Sequence, residues 1–212
     1  MQEIILFIIV IASHNQGKLR EFDAMRHLMS DEFAALKTLE FMPITRWAGE
    51  PPEETGDSFI ANALIKARAA AALSGLPAIA DDSGLEVAAL GGAPGIFSAR
   101  YAGMHATDAD NNALLLAELS AAPAAHRSAQ FVCALVFVRN ATDPAPLTAY
   151  ATWAGEILTT PQGAHGFGYD PLFFLPDLGK SAAELPAELK NRISHRAFAL
   201  AQLLTQLGSH SL

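Results

Sequence analysis

The feature that most constrains the fold is an unbroken apolar run over residues 4–12, IILFIIVIA, which leads directly into a short polar segment. The run is rich in Ile and Val, which is typical of a strand buried on both faces. Over residues 18–29 apolar side chains recur at helical spacing, which predicts a helix. A buried strand followed by such a helix is the opening unit of an α/β fold, in which helices cover the faces of a sheet.

Strand and helix patterns continue to alternate along the chain. Further strands are predicted over residues 36–41, 76–80, 131–139 and 148–158, and further helices over residues 58–74, 107–121 and 194–207. Gly75 supplies a helix stop, and Thr107 supplies an N-cap. Loops are predicted over residues 46–57, 85–103 and 162–170. Because no repeat or linker interrupts this order, we expect one α/β domain, residues 1–212, with a mixed sheet.

Composition excludes several classes of protein. With 51% apolar and 17% charged residues, the 212-residue chain can fill a sizeable core. A net charge of −8 argues against a protein built mainly to hold nucleic acid. The apolar run is shorter than the about 20 residues that span a membrane, and no basic segment precedes it as in a signal peptide. The single cysteine, Cys133, fits a reducing compartment, so we expect a cytoplasmic protein.

The polar segment SHNQGK joins the first strand to the first helix. A helix N-terminus presents unpaired backbone N–H groups and the positive end of the helix dipole, so this position suits a phosphate. The segment is not a Walker A loop, because the glycine five residues before the Gly-Lys pair and the following Ser or Thr are both missing. An ordinary turn with a solvated lysine is an equally good interpretation of the segment taken alone.

Two acidic groups are candidates for holding a metal ion. Glu53 and Glu54 lie in the first loop, and Asp81 and Asp82 directly follow a predicted apolar strand. Magnesium takes one or two carboxylates together with waters and substrate phosphates. The loop glutamates alone are better explained as a solvated acidic loop. Two adjacent carboxylates at a sheet edge repel each other unless a cation neutralises them, which favours a functional role for the aspartates.

Two further clusters lie near the end of the chain. The loop FGYDP places aromatic side chains among glycines, where they could stack on a base or cap the core. The segment KNRISHR gathers basic side chains that could neutralise phosphates or form a solvated face. No histidines have the spacing of a zinc site. Together, a phosphate cradle, an acidic metal site, an aromatic loop and a basic cluster suit a nucleoside triphosphate.

These motifs together resemble the inosine triphosphate pyrophosphatase family, whose bacterial members are dITP/XTP pyrophosphatases. The resemblance rests on SHNQGK, EETG, ADDSGL, GGAPGI with SARYAG, GFGYDP and SHR, and it extends from about residue 8 to about residue 204. Two small departures are His14, where a glycine is common, and ELKNR, where EEKN is usual.

The resemblance assigns roles to individual residues. It implies that Asp82 is both a metal ligand and the proton acceptor. It implies that either Glu53 or Glu54 is the other metal ligand, and the sequence does not decide between them. His195 or Arg196 is our candidate for the hydrogen-bond donor to the purine 6-oxo group. The implied substrate-binding residues are Ser13, His14, Asn15, Gln16, Gly17, Lys18, Ser83, Phe167, Gly168, Tyr169, Asp170, Lys190, His195 and Arg196.

The resemblance also implies a fold and a reaction. The expected fold is the elongated mixed-sheet α/β fold of the Maf and inosine triphosphatase proteins, with two lobes around a central cleft. The expected protein is a homodimer that uses Mg²⁺ to hydrolyse ITP, dITP or XTP to the monophosphate and pyrophosphate. Two alternatives stay open: a Maf-type pyrophosphatase acting on modified pyrimidine nucleotides, and a purine nucleotide sensor that does not turn over.

Overall fold

The computed structural model describes residues 7–29, 33, 39–120, 123 and 126–209. Its strands are β1 Phe7–Ile11, β2 Leu39–Pro43, β3 Ala78–Val87, β4 Ser128–Val138, β5 Leu147–Ile157, β6 Phe173–Leu175 and β7 Lys180–Ser181. Its α-helices are α1 Gln16–Met29, α2 Phe59–Ser74, α3 Asp108–Glu118, α4 Ala187–Ile193 and α5 His195–Ser209.

The strands form one mixed sheet in the order β2-β1-β3-β4-β5-β6-β7. Strand β1 pairs in parallel with β2 and β3, whereas β6 pairs antiparallel with β5 and β7. The predicted α/β fold with a mixed sheet is therefore confirmed. None of the helices in the described part of the chain is long and apolar enough to cross a membrane.

The chain divides into two compact units, whose boundaries fall inside β3, β4 and β5 and after the first residue of α5. The first unit comprises Met1–Asp82, Cys133–Ala151 and Arg196–Leu212. The second unit comprises Ser83–Val132 and Thr152–His195.

In the first unit, the two faces of the sheet pack against different helices. Ile79 of β3 belongs to a buried cluster with Phe22 of α1 and Leu200 of α5. Its neighbour Ala80 belongs to a second cluster with Ala63 and Ala67 of α2. This division follows from strand geometry, because successive side chains point to opposite faces. The alanines of α2 allow that helix to lie close to the sheet.

The second unit has its own core. Leu85 of β3, Leu115 of α3, Phe131 of β4 and Phe173 of β6 belong to one buried cluster. Buried Arg127 donates to three main-chain carbonyls, those of residues 119, 157 and 158, and so ties the end of α3 to the segment that follows β5. Because those carbonyls accept its guanidinium N–H groups, the buried charge does not lack partners.

The helix boundaries largely follow the predicted caps. Ser58 accepts a hydrogen bond from the N–H of Ala61 at the start of α2, and Gly75 ends that helix with φ of 71°. Thr107 and Asp110 form a reciprocal capping box at the start of α3. These contacts confirm the predicted N-cap at Thr107 and the predicted stop at Gly75.

Several predicted boundaries were wrong. Strand β3 does not end at residue 80, but continues through the polar residues 81–84 to Val87. The loop predicted over residues 85–103 contains the end of β3 and two short 3₁₀ helices, Ala88–Leu90 and Gly95–Arg100. The predicted final helix corresponds to α5, whereas the preceding helix α4 and the short strands β6 and β7 were not predicted. Parts of three predictions, at residues 4–6, 36–38 and 121, lie outside the described residues.

Candidate active site

The SHNQGK segment forms a capped turn at the start of α1. Asn15 accepts a hydrogen bond at Oδ1 from the N–H of Lys18 (3.0 Å), as an N-cap residue does. The N–H of Asn15 in turn donates to the Oγ of Ser13, which is buried. His14 and Gln16 are exposed, and Gly17 is half-buried. The first-turn N–H groups of α1 therefore lie beside polar side chains at the carboxyl end of β1, as predicted for a phosphate cradle.

Lys18 is not a solvated lysine. Its Nζ forms an ion pair with Oδ1 of Asp81, and its side chain is 16% exposed. The interpretation of this segment as an ordinary turn with a free lysine is therefore wrong. A lysine held in this way presents its charge from a fixed position beside the helix N-terminus.

Asp81 is the centre of a buried charge network. Its Oδ2 accepts from Nε of Arg196 (2.8 Å) and from Sγ of Cys133 (3.1 Å). Nη1 of Arg196 also pairs with Glu21 of α1. Burial alone would raise the pKa of Asp81, but Arg196 and Lys18 hold it well below its ordinary value. Asp81 is therefore an ionised anchor shared by α1 and α5.

The Cys133 thiol stays protonated beside this carboxylate. Burial, together with the negative charge of Asp81, raises its pKa well above the ordinary value. The Sγ–H group is therefore available as a hydrogen-bond donor rather than as a nucleophile.

Asp82 points to the opposite face of the sheet, toward α2. Its Oδ1 accepts from Nζ of Lys66 (2.6 Å), and the same ammonium contacts Oε1 of Glu54 (2.9 Å). The other carboxylate oxygen, Oδ2, is buried and has no hydrogen-bond partner among the described residues. Burial raises the pKa of Asp82, although the positive charges of Lys66 and Lys18 oppose the shift. For Lys66, the attraction of both carboxylates outweighs burial and raises the pKa.

The placement of the two aspartates corrects the sequence interpretation. They lie inside β3 rather than at its end. Because neighbouring strand residues face opposite sides, Asp81 has Lys18 and Arg196, whereas Asp82 has Lys66. The predicted repulsion is thus offset by Lys18 and Arg196 on one face and by Lys66 on the other, and the charge of Lys18 also acts on Asp82.

The donors around Asp82 fit a magnesium ion. No group of three or more His, Cys, Asp or Glu side chains suited to a metal occurs in the described ranges. Magnesium needs fewer protein ligands, because waters and substrate phosphates complete its shell. The unsatisfied Oδ2 of Asp82 and the nearby Glu54 carboxylate are hard oxygen donors of the kind it prefers. Glu53 is exposed, so the structure favours Glu54 as the second carboxylate.

In the second unit, the FGYDP loop is ordered around Asp170. Oδ2 of this buried aspartate accepts from the N–H of Phe167 (2.9 Å) and from Nζ of Lys190 (2.5 Å). The same ammonium lies 5.1 Å from the centre of the Phe167 ring. A Cβ on Gly166 would lie 1.9 Å from Oδ2 of Asp170, so only glycine fits there. The half-buried Phe167 ring is thereby held in one orientation.

Tyr169 has a different environment from Phe167. It is buried in the core of the second unit, and its hydroxyl donates to the carbonyl of Ser98 (2.8 Å). Burial raises the pKa of this phenol, so it stays protonated. Of the two aromatic residues in the loop, Tyr169 therefore caps the core, as the alternative interpretation predicted, whereas Phe167 keeps an accessible ring.

The basic cluster is buried rather than solvated. Lys190, His195 and Arg196 are each at most 6% exposed. His195 stacks on Phe131, with ring centres 4.9 Å apart, and it belongs to the second unit, whereas Arg196 belongs to the first. Ser83, the first residue of the second unit, is half-buried. The interpretation of this cluster as a solvated basic face is therefore wrong for Lys190, His195 and Arg196, and it holds only for Arg192, which is exposed.

Comparison with known proteins identifies the chain's relatives. Residues 9–206 match the Ham1 family. The chain belongs to the Ham1 family. A dITP/XTP pyrophosphatase of Pseudomonas aeruginosa is 52% identical over 200 residues, which are 94% of this chain and 96% of the relative. These matches confirm the resemblance found in the sequence.

Solved structures of Ham1 proteins confirm the fold. The structure of a HAM1 protein from Coxiella burnetii is 48% identical, with a TM-score of 0.85, and the match covers 97% of this chain and 100% of that one. A crystal structure from Mycobacterium abscessus, described as a nucleoside-triphosphatase / dITP/XTP pyrophosphatase, is 43% identical with a TM-score of 0.72. That match covers 93% of this chain and 99% of that one.

Two residues of this Ham1-family site, Lys66 and Glu21, had no assigned role in the sequence analysis, and Asp81 was a candidate for holding a metal rather than for a buried ion-pair network. Lys66 bridges the candidate metal ligands, and Glu21 and Asp81 form the buried network with Arg196. For Lys66 there was a signal, since a lysine inside an otherwise alanine-rich helix needs a partner. For Glu21 there was none, because its partner lies on α5, far along the chain.

Proposed function

We propose that this chain hydrolyses deaminated purine nucleoside triphosphates, ITP, dITP and XTP, to the monophosphate and pyrophosphate with Mg²⁺. The observation that carries the proposal is the buried, unsatisfied Oδ2 of Asp82, placed beside Glu54 and Lys66. Relatives about 50% identical over nearly the whole chain are named dITP/XTP pyrophosphatases, which supports the same activity here. A cytoplasmic homodimer remains a prediction.

The first unit supplies the groups for phosphate chemistry. Lys18 and the first-turn N–H groups of α1 bind the triphosphate and hold the charge that develops on the leaving pyrophosphate. Asp82 and Glu54 would hold Mg²⁺, which when bound supplies a Lewis acid for the phosphate oxygens. The Lys66 ammonium lies between both carboxylates, and its charge opposes the rise that burial causes in the pKa of Asp82.

Asp82 takes the proton from the attacking water. The water oxygen bonds to the α-phosphorus, the bond from that phosphorus to the α–β bridging oxygen breaks, and pyrophosphate leaves. The proton passes to the carboxylate of Asp82. A general base gains from a pKa nearer to the working pH, and burial shifts the pKa of Asp82 in that direction.

The second unit supplies the elements for base recognition. Stacking of a purine on the Phe167 ring would contribute about 1–3 kcal/mol and would not by itself select a base. Selection needs a donor to the purine 6-oxo group, and the 6-amino group of adenine would leave that donor unpaired. Such a mismatch costs on the order of 10⁴ in rate where a site is built around the bond. Lys190 and His195 of this unit, and Arg196 of the first unit, are the buried basic residues proposed to contact the substrate.

A substrate panel tests this function. Purified protein is incubated with ITP, dITP, XTP, ATP and modified pyrimidine triphosphates, with Mg²⁺ or with EDTA, and pyrophosphate and monophosphate are both measured. We expect pyrophosphate from the three deaminated purines only, and only with Mg²⁺. Equal rates on ATP and ITP would contradict the selectivity. Turnover of the pyrimidines alone would indicate a Maf-type enzyme, and tight ITP binding without pyrophosphate would indicate a sensor.

A further inference from the structure

Both backbone groups of Gly168, in the middle of the FGYDP loop, are held by side chains of α3. The N–H of Gly168 donates to Oδ2 of Asp108 (2.6 Å), and its carbonyl accepts from Nδ2 of Asn112 (2.9 Å). Asp108 and Asn112 are four residues apart on one helix, so they lie on the same side of α3. Two side chains thus fix the orientation of one peptide segment from both its donor and its acceptor.

Helix α3 is itself held in place by contacts that do not involve the loop. Its first turn is closed by the capping box of Thr107 and Asp110, and Leu115 anchors it in the core of the second unit. Buried Asn111 ties it to the preceding segment by accepting from the N–H of Ala102 and donating to the carbonyl of residue 99. Movement of the loop away from α3 would therefore break the bonds to Gly168 rather than carry the helix along.

The amide of Asn112 is oriented by the loop. Its Oδ1 is a buried atom without a hydrogen-bond partner among the described residues. Buried polar atoms are rarely left unsatisfied. Exchanging the amide oxygen and nitrogen would set oxygen against the carbonyl of Gly168 and lose the present bond. The Asn112 side chain thus keeps the hydrogen bond from its Nδ2 to the Gly168 carbonyl, although its Oδ1 then lacks a partner among the described residues.

We propose that Asp108 and Asn112 are positioning residues that fix the base-binding loop of residues 167–170 and thereby set the preference for deaminated purines. The proposal rests on the proposed function, because it assigns base recognition to this loop. A fixed loop cannot move to recover contacts with adenine, whereas a loop released from α3 can. We call the two hydrogen bonds that join Asp108 and Asn112 to Gly168 the clamp. Loss of the clamp therefore weakens the binding of ITP and also lowers the discrimination between ITP and ATP.

Four variants separate the clamp from general helix stability. Asp108→Ala removes the acceptor for the Gly168 N–H, whereas Asp108→Asn keeps an acceptor oxygen. Asn112→Asp keeps the shape but removes the donor to the Gly168 carbonyl. The matched control is Asp110→Ala, which breaks the capping box of the same helix without touching the loop. We expect the control to lower Tm by about 2–4 °C and to leave substrate preference unchanged.

The experiment measures kcat and KM for ITP and ATP, together with amide hydrogen exchange of residues 162–170. For Asp108→Ala and Asn112→Asp we expect KM for ITP to rise, kcat to change little, and the ITP-to-ATP ratio of kcat/KM to fall about tenfold. That is less than the about hundredfold that a 1 Å misplacement can cost. Exchange at Gly168 should quicken in both variants. Asp108→Asn should restore the wild-type ratio.

Two outcomes would overturn the inference while the proposed function stands. One is an active wild type whose ratio and Gly168 exchange are the same in Asp108→Ala and Asn112→Asp. The other is a control, Asp110→Ala, that lowers the ratio as much as Asp108→Ala does, since helix stability would then explain the effect. A wild type that releases no pyrophosphate from ITP would instead overturn the proposed function, and this inference with it.

Discussion

The two faces of strand β3 place neighbouring aspartates in different surroundings, which shift their pKa values in opposite directions. On the face toward α1 and α5, Asp81 is fully buried, both its oxygens are paired, and its pKa is held well below the ordinary value. On the face toward α2, Asp82 has one oxygen paired with Lys66 and one unsatisfied, and its pKa is raised. A single residue step along the strand thus separates a fully paired carboxylate from the one that we propose as the base.

This difference shows how a strand can supply an anchor and a base from one sequence motif. The anchor needs cations on every oxygen, because a buried charge is otherwise too costly. The base needs an open oxygen and a pKa that moves toward the working pH. Strand alternation satisfies both needs without a loop, since each side chain meets a different helix.

The largest expected effect comes from Asp82→Asn, which removes the reactive member of the pair. Amide nitrogen or oxygen cannot take the proton from water, so we expect kcat for ITP to fall by about 10²–10⁴-fold. Stability should be close to that of the wild type. Steady-state kinetics and a thermal melt check both parts, and full activity would remove Asp82 from the reaction.

In contrast to Asp82→Asn, the variant Asp81→Asn should mainly lower the stability of the fold. Without the carboxylate, Arg196 and Lys18 are left with buried charges that lack their main partner, which costs about 3–5 kcal/mol in comparable cases. Urea unfolding measures the loss. Cys133→Ala, which removes only the neutral donor to Asp81, is the control and should cost much less. An Asp81→Asn protein as stable as the wild type would show that the network is not an anchor.

Variants of the two loop glutamates test which carboxylate holds the metal together with Asp82 on the α2 face. Glu54→Gln should lower Mg²⁺-dependent activity by about 10- to 100-fold, the range found when groups around metal sites are changed. Glu53→Gln, at an exposed position, should change it by less than about twofold. Titration of activity with Mg²⁺ separates the two variants. A larger effect at Glu53 would place the second carboxylate there.

The smallest effect is a difference in pH dependence, measured by thermal melts in EDTA. Because the folded pKa of Asp81 lies below its ordinary 3.8, its ion pairs stabilise the fold fully above that value and are lost as pH falls through the folded pKa. The difference in Tm by which the wild type exceeds Asp81→Asn should therefore become smaller below about pH 4.

For Asp82 the sign is opposite. Its folded pKa is raised above 3.8, so the ionised form costs stability at neutral pH, and the cost disappears as pH falls to that value. The Tm of Asp82→Asn relative to that of the wild type should therefore increase as pH rises above about 4. Slopes of the same sign for the two variants would contradict the contrast between the two faces.

Much of the fold could be predicted because its signals are local. The capping residues Ser58, Thr107 and Gly75 and the apolar runs of β1 and β4 each act within a few residues. Strand β3 was cut short at residue 80 because the following aspartates break the apolar pattern. Their charges are satisfied only by Lys18, Lys66 and Arg196, which tertiary structure brings to them.

The motifs of the candidate site could be predicted from the sequence, but the contacts between their side chains could not. The motif residues Asp82 and Lys18 lie in the same unit, whereas the buried ion pair of Asp170 with Lys190 was not predicted. The sequence could not choose Glu54 over Glu53, since that choice depends on which side chain reaches Lys66. Nor could it indicate that Asn112 and Asp108 contact Gly168, because such pairs are set by how α3 packs.

The most direct test of the central claim is hydrolysis of ITP in water labelled with ¹⁸O, followed by mass analysis of both products. Attack of water on the α-phosphorus, with Asp82 as the proton acceptor, predicts that the label enters inosine monophosphate and that the pyrophosphate stays unlabelled. Label in pyrophosphate, or release of inosine diphosphate and labelled phosphate, would contradict it.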